Sequence, residues 1–219
     1  MTFASDLRWI AKRAAVGVLR GLPDRAAICA DYFRVFGRLP NLIAPQRFSE
    51  KMQHMKLHER DPIMPSIVDK LQAKDFVGRR LGNDWLIPTI WHGEKISAAI
   101  VGELPKPAVM KPNHSSAQVL FLTSDTDLDE AVRIARNWLT YDHHILHREW
   151  AYGQVKRQIL VEPLIGYEAS LNDYKFWVFD GVVQFVQVDL ERFHAHRRQF
   201  YSPDWKRLEF SLIYENGCE

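Results

Sequence analysis

Lys111 closes an apolar run, Val109-Met110-Lys111, and the next five residues, Pro112-Asn113-His114-Ser115-Ser116, are small and polar. A lysine there supplies a point charge, and turn amides with two serine hydroxyls donate hydrogen bonds, a combination suited to phosphate oxygens. The same residues also fit a surface hairpin with a solvated lysine. Glu162 ends a second apolar run, Ile159-Leu160-Val161, where a carboxylate beside backbone polar groups can meet an adenine-type base or simply occupy a strand edge. Asp173 and Lys175 alternate onto one face of a strand, and Asp189 and Arg192 stand near the end of the returning strand, so that carboxylates and cations can converge.

Other chemistry-bearing residues carry less. His54 and His58 are one helical turn apart, a spacing able to hold a metal, yet no Glu follows His54 as a zinc-protease helix requires. His143, His144 and His147 have no cysteine and no clear carboxylate beside them. Asp125-Thr126-Asp127 matches the Asp-x-Asp string of many nucleotide-sugar enzymes, and its place at a helix start equally suits capping. Asp69-Lys70 reads as a helix-surface charge pair.

The elements that must position these groups follow from periodicity and punctuation. A basic amphipathic helix is expected from Ser5 or Asp6 to Arg20, able to pack on its own domain or rest on an anionic inner-leaflet surface. Helices are expected over 24–36, 48–59, 66–81, 96–104 and 125–138, with a linker at 41–47 and a strand end at 85–88. The stretch 108–124 reads as strand, turn and strand, and residues 158–164 as a further strand. Residues 173–179 and 182–188 flank Asp180-Gly181, a strong two-residue hairpin turn. The three histidines at 143–147 and the basic residues at 194–198 read as loops, and 208–214 as a last strand.

Composition sets the class. With 47% hydrophobic and 26% charged residues in 219, the chain is expected to build a packed core; a formal charge of +2 is far from the excess that would by itself suggest a nucleic-acid partner, and none is expected. Cys29 and Cys218 have no metal-type spacing and suggest a reducing compartment, hence a cytoplasmic location. No apolar run approaches the roughly 20 residues of a bilayer span.

Taken in order, the segments Phe48-Ser49-Glu50-Lys51-Met52-Gln53, Asp61-Pro62, Val68-Asp69-Lys70, Val109 to Ser115, Arg148-Glu149-Trp150-Ala151-Tyr152, Glu162-Pro163-Leu164, Asp173-Tyr174-Lys175-Phe176 and Asp180-Gly181 resemble the TupA-like branch of the ATP-grasp fold, associated with teichuronopeptide and other surface-polysaccharide biosynthesis. The resemblance spans about 47–210 and implies an α+β domain with a nucleotide cleft between two subdomains, preceded by a helical extension over 1–46. It implies that Lys70 and Lys111 reach the ATP phosphates, with His114, Ser115 and Ser116 as a mobile loop over them. Glu162 and Ile165 would contact the adenine, Asp173 and Lys175 would border the ribose-phosphate and the acceptor, and Arg192 would face the transferred phosphate.

The implied reaction is ATP-dependent joining of a carboxylate to an amine through an acyl phosphate, with a saccharide or amino-acid precursor as substrate and magnesium as cofactor. Two departures from the family pattern stand out. Ser115-Ser116-Ala117 replaces a loop usually rich in glycine. The family's magnesium carboxylates lie on strands beyond the region matching Phe210, so no metal ligand is identifiable and the domain is expected to be incomplete at its C-terminal end. A non-catalytic nucleotide-binding protein and, less directly, a glycosyltransferase are the competing readings.

Overall fold

The computed structural model describes residues 21–166, 171–191 and 195–212. The chain divides into two compact units, one ending at Pro163 and the next beginning at Leu164. Both carry antiparallel sheet, and with the helices of the first they make the chain an α+β protein.

The first unit opens with helices α1 (Asp24–Phe36) and α2 (Phe48–His58). Gly37 stops α1 in the left-handed region at φ 66°, a conformation that suits a residue without a Cβ. Glu50 ties the two helices together: it accepts from Arg38 (2.9 Å) and from the backbone N–H groups of Gln46 and Arg47, and these bonds hold its carboxyl down at about 2.

The helix expected over 66–81 is two helices, α3 (Met64–Val68) and α4 (Lys70–Leu81). Asp69 breaks the run without proline or glycine. Its extended backbone (ψ 113°) turns the chain, and its side chain caps α4 by accepting from Leu71 N at 2.9 Å. The strand end expected at 85–88 does not form: Trp85 closes a 3₁₀ turn, Asn83–Trp85, residues 86–88 are irregular, and the strand comes later as β1 (Trp91–Gly93).

Helix α5 (Ala98–Glu103) leads into β2 (Ala108–Pro112) and β3 (Leu120–Leu122), the two strands expected around the polar turn. Helix α6 (Leu128–Leu139) follows, capped by Asp127, which accepts from Glu130 N at 3.1 Å. The histidine stretch expected as a loop is a short helix, α7 (His143–His147), because Asp142 caps it through Ile145 N. After α8 (Trp150–Gly153), strand β4 (Ile159–Pro163) inserts between β1 and β2, giving the order β1-β4-β2-β3.

One face of this sheet is the core. Ala108, Met110, Leu122, Ile159 and Val161 are fully buried against Val101, Ala131, Val132 and Ala135. The small Ala131 and Ala135, one turn apart on α6, let the helix lie close on the strands.

The second unit is the meander β5 (Asp173–Phe179), β6 (Val182–Leu190), β7 (Arg197–Tyr201) and β8 (Arg207–Leu208). Asp180 and Gly181, both at positive φ (51° and 74°), make the hairpin turn that their residue types dictate. Part of the stretch expected as a basic loop at 194–198 enters β7, and of the strand expected at 208–214 only Leu208 is in strand among the described residues. The expected helix over 5–20 lies outside the described residues.

A candidate phosphate-binding lysine cluster

The polar face of the first sheet is fixed by register. Val109 pairs with Glu162 and Lys111 with Leu160, which makes Lys111 and Glu162 diagonal neighbours on the face opposite the core. Lys111 forms an ion pair with Glu162, and Lys74 of α4 forms a second with the other carboxylate oxygen. Lys74 is anchored further by donating to the Ile87 carbonyl (2.6 Å) and Thr89 Oγ1 (3.0 Å). Glu162, 3% exposed, is thus held between two ammonium groups.

Lys70 sits one helical turn before Lys74. Its ammonium donates to the Pro112 carbonyl (2.9 Å) and to the Ser115 carbonyl, while its backbone N–H donates to the Asn113 carbonyl at 3.2 Å. Lys70 thereby clasps the loop that follows β2. Burial, reinforced by the neighbouring Lys111 charge, pushes its pKa down to about 8, against the opposing pull of Asp69 and Glu162. A cation kept short of its ordinary stabilisation is one that an arriving anion would relieve.

The loop is built on a buried hub. Asn113 donates through Nδ2 to Asp69 Oδ1 (3.0 Å) and to the Lys156 carbonyl (2.9 Å), and its Oδ1 accepts from Gln158 N (2.8 Å). One side chain therefore joins the cap of α4, the loop and the approach to β4. His114 is also buried, with its ring nitrogens 3.2 Å from Asn113 Oδ1 and from the Trp138 carbonyl. Burial, aided by the Arg157 charge, pushes its pKa down to about 4. Ser115 is buried and donates to Gln118 Oε1, whereas Ser116 is exposed. Ala117, in the stretch where the family pattern favours glycine, is at φ 60°.

The structure therefore brings together Lys70, Lys111 and Glu162 of the residues expected from sequence. It places His114 and Ser115 inside the loop's own packing and leaves Ser116 at its surface. Asp69, expected as half of a helix-surface charge pair, is instead buried, because its carboxylate accepts from Leu71 N and Asn113 Nδ2, and Asn113 and Lys74 complete the arrangement. The signal for Lys74 was its spacing of four from Lys70.

The second unit has its own charged cluster. Lys175 donates to Asp173 (2.5 Å) and Asp189 (2.7 Å), and Arg198 donates to both oxygens of Asp189 at 2.6 and 3.3 Å. Gln187 adds two further donations at 3.0 Å to the same carboxylate. These bonds from Arg198, Lys175, His196 and Gln187 outweigh burial and hold the Asp189 carboxyl well below its usual range. Ile165, at the start of this unit, is half exposed, and Arg192 lies outside the described residues.

The Asp-x-Asp string is occupied locally, with Asp127 as the α6 cap and Asp125 accepting from Ser124 Oγ at 3.1 Å. His54 and His58 lie with ring centroids 4.3 Å apart and planes tilted by 42°, with His54 Nδ1 2.9 Å from the Leu42 carbonyl. Among the described residues no group of three or more His, Cys, Asp or Glu side chains is arranged to hold a metal ion, and no helix is long and apolar enough to cross a membrane.

A family model, TupA-like ATPgrasp, matches residues 50–218. Neither a curated protein nor a solved structure matches the chain significantly. The matched region contains the lysine cluster, its loop and the meander, and on this match the chain belongs to the TupA-like ATP-grasp family.

Proposed function

We propose that the chain is an ATP-dependent carboxylate–amine ligase of bacterial cell-surface polysaccharide biosynthesis, working in the cytoplasm. ATP-grasp proteins generally bind ATP and magnesium. The observation that carries the reading is the pairing of Lys74 and Lys111 with one buried carboxylate, with Lys70 beside them holding the loop after β2 through its backbone carbonyls. An excess of cation on a rigid sheet face favours a polyphosphate, whose transfer depends mainly on positioning and charge neutralisation.

In this reading Lys111 and Lys70 meet the phosphates under the loop of His114, Ser115 and Ser116, and Glu162 borders the base. A substrate carboxylate oxygen attacks the γ-phosphorus, and ADP leaves with the electrons of the broken P–O bond. An amine nitrogen then attacks the acyl carbon and loses a proton, and inorganic phosphate departs, leaving an amide. The acceptor is a carboxylate- or amine-bearing saccharide or amino-acid precursor. The described residues do not fit a magnesium site, because the cluster's carboxylate is already spanned by two lysines.

Calorimetry with ATP and magnesium tests the site. Lys111→Ala is expected to weaken binding by about tenfold to a hundredfold, while the exposed Lys95→Ala leaves it unchanged. Equal effects refute the assignment. ADP release that requires both a carboxylate and an amine separates a ligase from a non-catalytic nucleotide-binding protein.

A further inference from the structure

Glu162 is buried, and one carboxylate is shared by two ammonium groups. For Lys111 to engage a phosphate it must loosen its hold on Glu162, and withdrawing a lone counter-ion from a buried carboxylate is strongly unfavourable. Lys74 changes that balance. It is the more fixed partner, tied to the Ile87 carbonyl and Thr89 Oγ1, whereas the Lys111 ammonium projects from its strand to pair with Glu162 alone among the described residues.

We infer that Lys74 is a positioning residue: it serves as the resident counter-ion of Glu162, so that Lys111 can leave that carboxylate and bind a nucleotide phosphate. The inference rests on the nucleotide-binding reading above and adds a residue that acts through Glu162 rather than on the nucleotide. Without Lys74, Lys111 becomes the sole partner of a buried charge and is retained by it. With Glu162 also neutralised, nothing retains Lys111, and the loss of Lys74 ceases to matter.

The test is a double-mutant cycle read by ATP titration calorimetry in the presence of magnesium, on wild type, Lys74→Ala, Glu162→Gln and the double variant, with Lys74→Arg as the charge-preserving variant. Lys74→Ala is expected to weaken ATP binding about tenfold or more when Glu162 is intact, and less than about twofold when it is combined with Glu162→Gln. Lys74→Arg is expected to bind within about threefold of wild type, and carries the comparison should Lys74→Ala fold poorly. An equal loss in both backgrounds overturns the inference, since Lys74 would then act on the nucleotide or through the fold. Binding by Lys74→Ala equal to wild type, or a large loss in Lys74→Arg, also overturns it while leaving the nucleotide site standing. An absence of ATP binding by wild type removes both.

Discussion

Glu162 in the first unit and Asp189 in the second are both buried carboxylates that gather cations, and they differ in what surrounds them. Around Glu162 stand Lys70, Lys74 and Lys111, and the other nearby carboxylate, Asp69, is committed to capping α4 and to Asn113. Around Asp189 the cations Lys175 and Arg198 are matched by a second carboxylate, Asp173. The first cluster holds a surplus of positive charge, and the second is balanced. Lys70 is pushed down to about 8, chiefly by burial and further by the Lys111 charge, whereas the bonds to Asp189 favour its charged form. The proposed function makes the first a site for an anion, while the second pins β5, β6 and β7 together.

The sharpest way to break this contrast is Asp189→Asn. It leaves Arg198 and Lys175 facing a neutral amide, and is expected to lower stability by about 3 kcal/mol in urea denaturation, with the amides of the meander losing exchange protection. A loss under about 1 kcal/mol would deny Asp189 its structural role.

Acid separates the two units by window. His114 is held neutral with a pKa of about 4, whereas in the unfolded chain it binds a proton below about 6.5. The unfolded state therefore takes up more protons between those values, and stability falls as pH drops from about 6.5 to about 4, by up to about 3 kcal/mol. Asp189 acts lower, because its depressed carboxyl supplies stability above the ordinary aspartate range that is lost only as pH falls beneath it. Exchange protection measured across pH should fail first in the first unit, and His114→Gln should flatten that limb.

Asn113→Ala removes the hub of the loop after β2 and is expected to cost about 2 kcal/mol by thermal or urea unfolding, through the orphaned Asp69, Lys156 and Gln158 groups. Its effect on ATP affinity should exceed that of Asp189→Asn, because the hub shapes the loop directly. Ala117→Gly is expected to shift stability by less than about 1 kcal/mol, since relief of the left-handed conformation is offset by added freedom in the unfolded chain.

How far the chain could be read in advance depended on whether an element's cause was local. The Asp180-Gly181 hairpin was legible because the two turn residues adopt the positive φ angles that their types favour. The strands around the polar turn were legible from their apolar runs. The break at Asp69 was not, because the cap competes with a helix that periodicity supports, and the deciding bond goes to Asn113, 44 residues away. Strand β7 was hidden by the charges of Arg197 and Arg198, which are accommodated because Arg198 pairs with Asp189 across the sheet. Lys70, Lys111 and Glu162 were singled out by motif order, whereas for Lys74 the sequence offers a spacing of four from Lys70, and the pairing with Glu162 comes from the structure.

The central claim is that the lysine cluster of the first unit is an anion site held short of its preferred charge state. ATP titrations with magnesium near pH 8.5, in two buffers of different ionisation enthalpy, test it most directly. An arriving polyphosphate raises the Lys70 pKa, so binding should take up roughly half a proton or more, and Lys70→Met should abolish most of that uptake. Binding without proton uptake, or with the same uptake in Lys70→Met, would contradict the account.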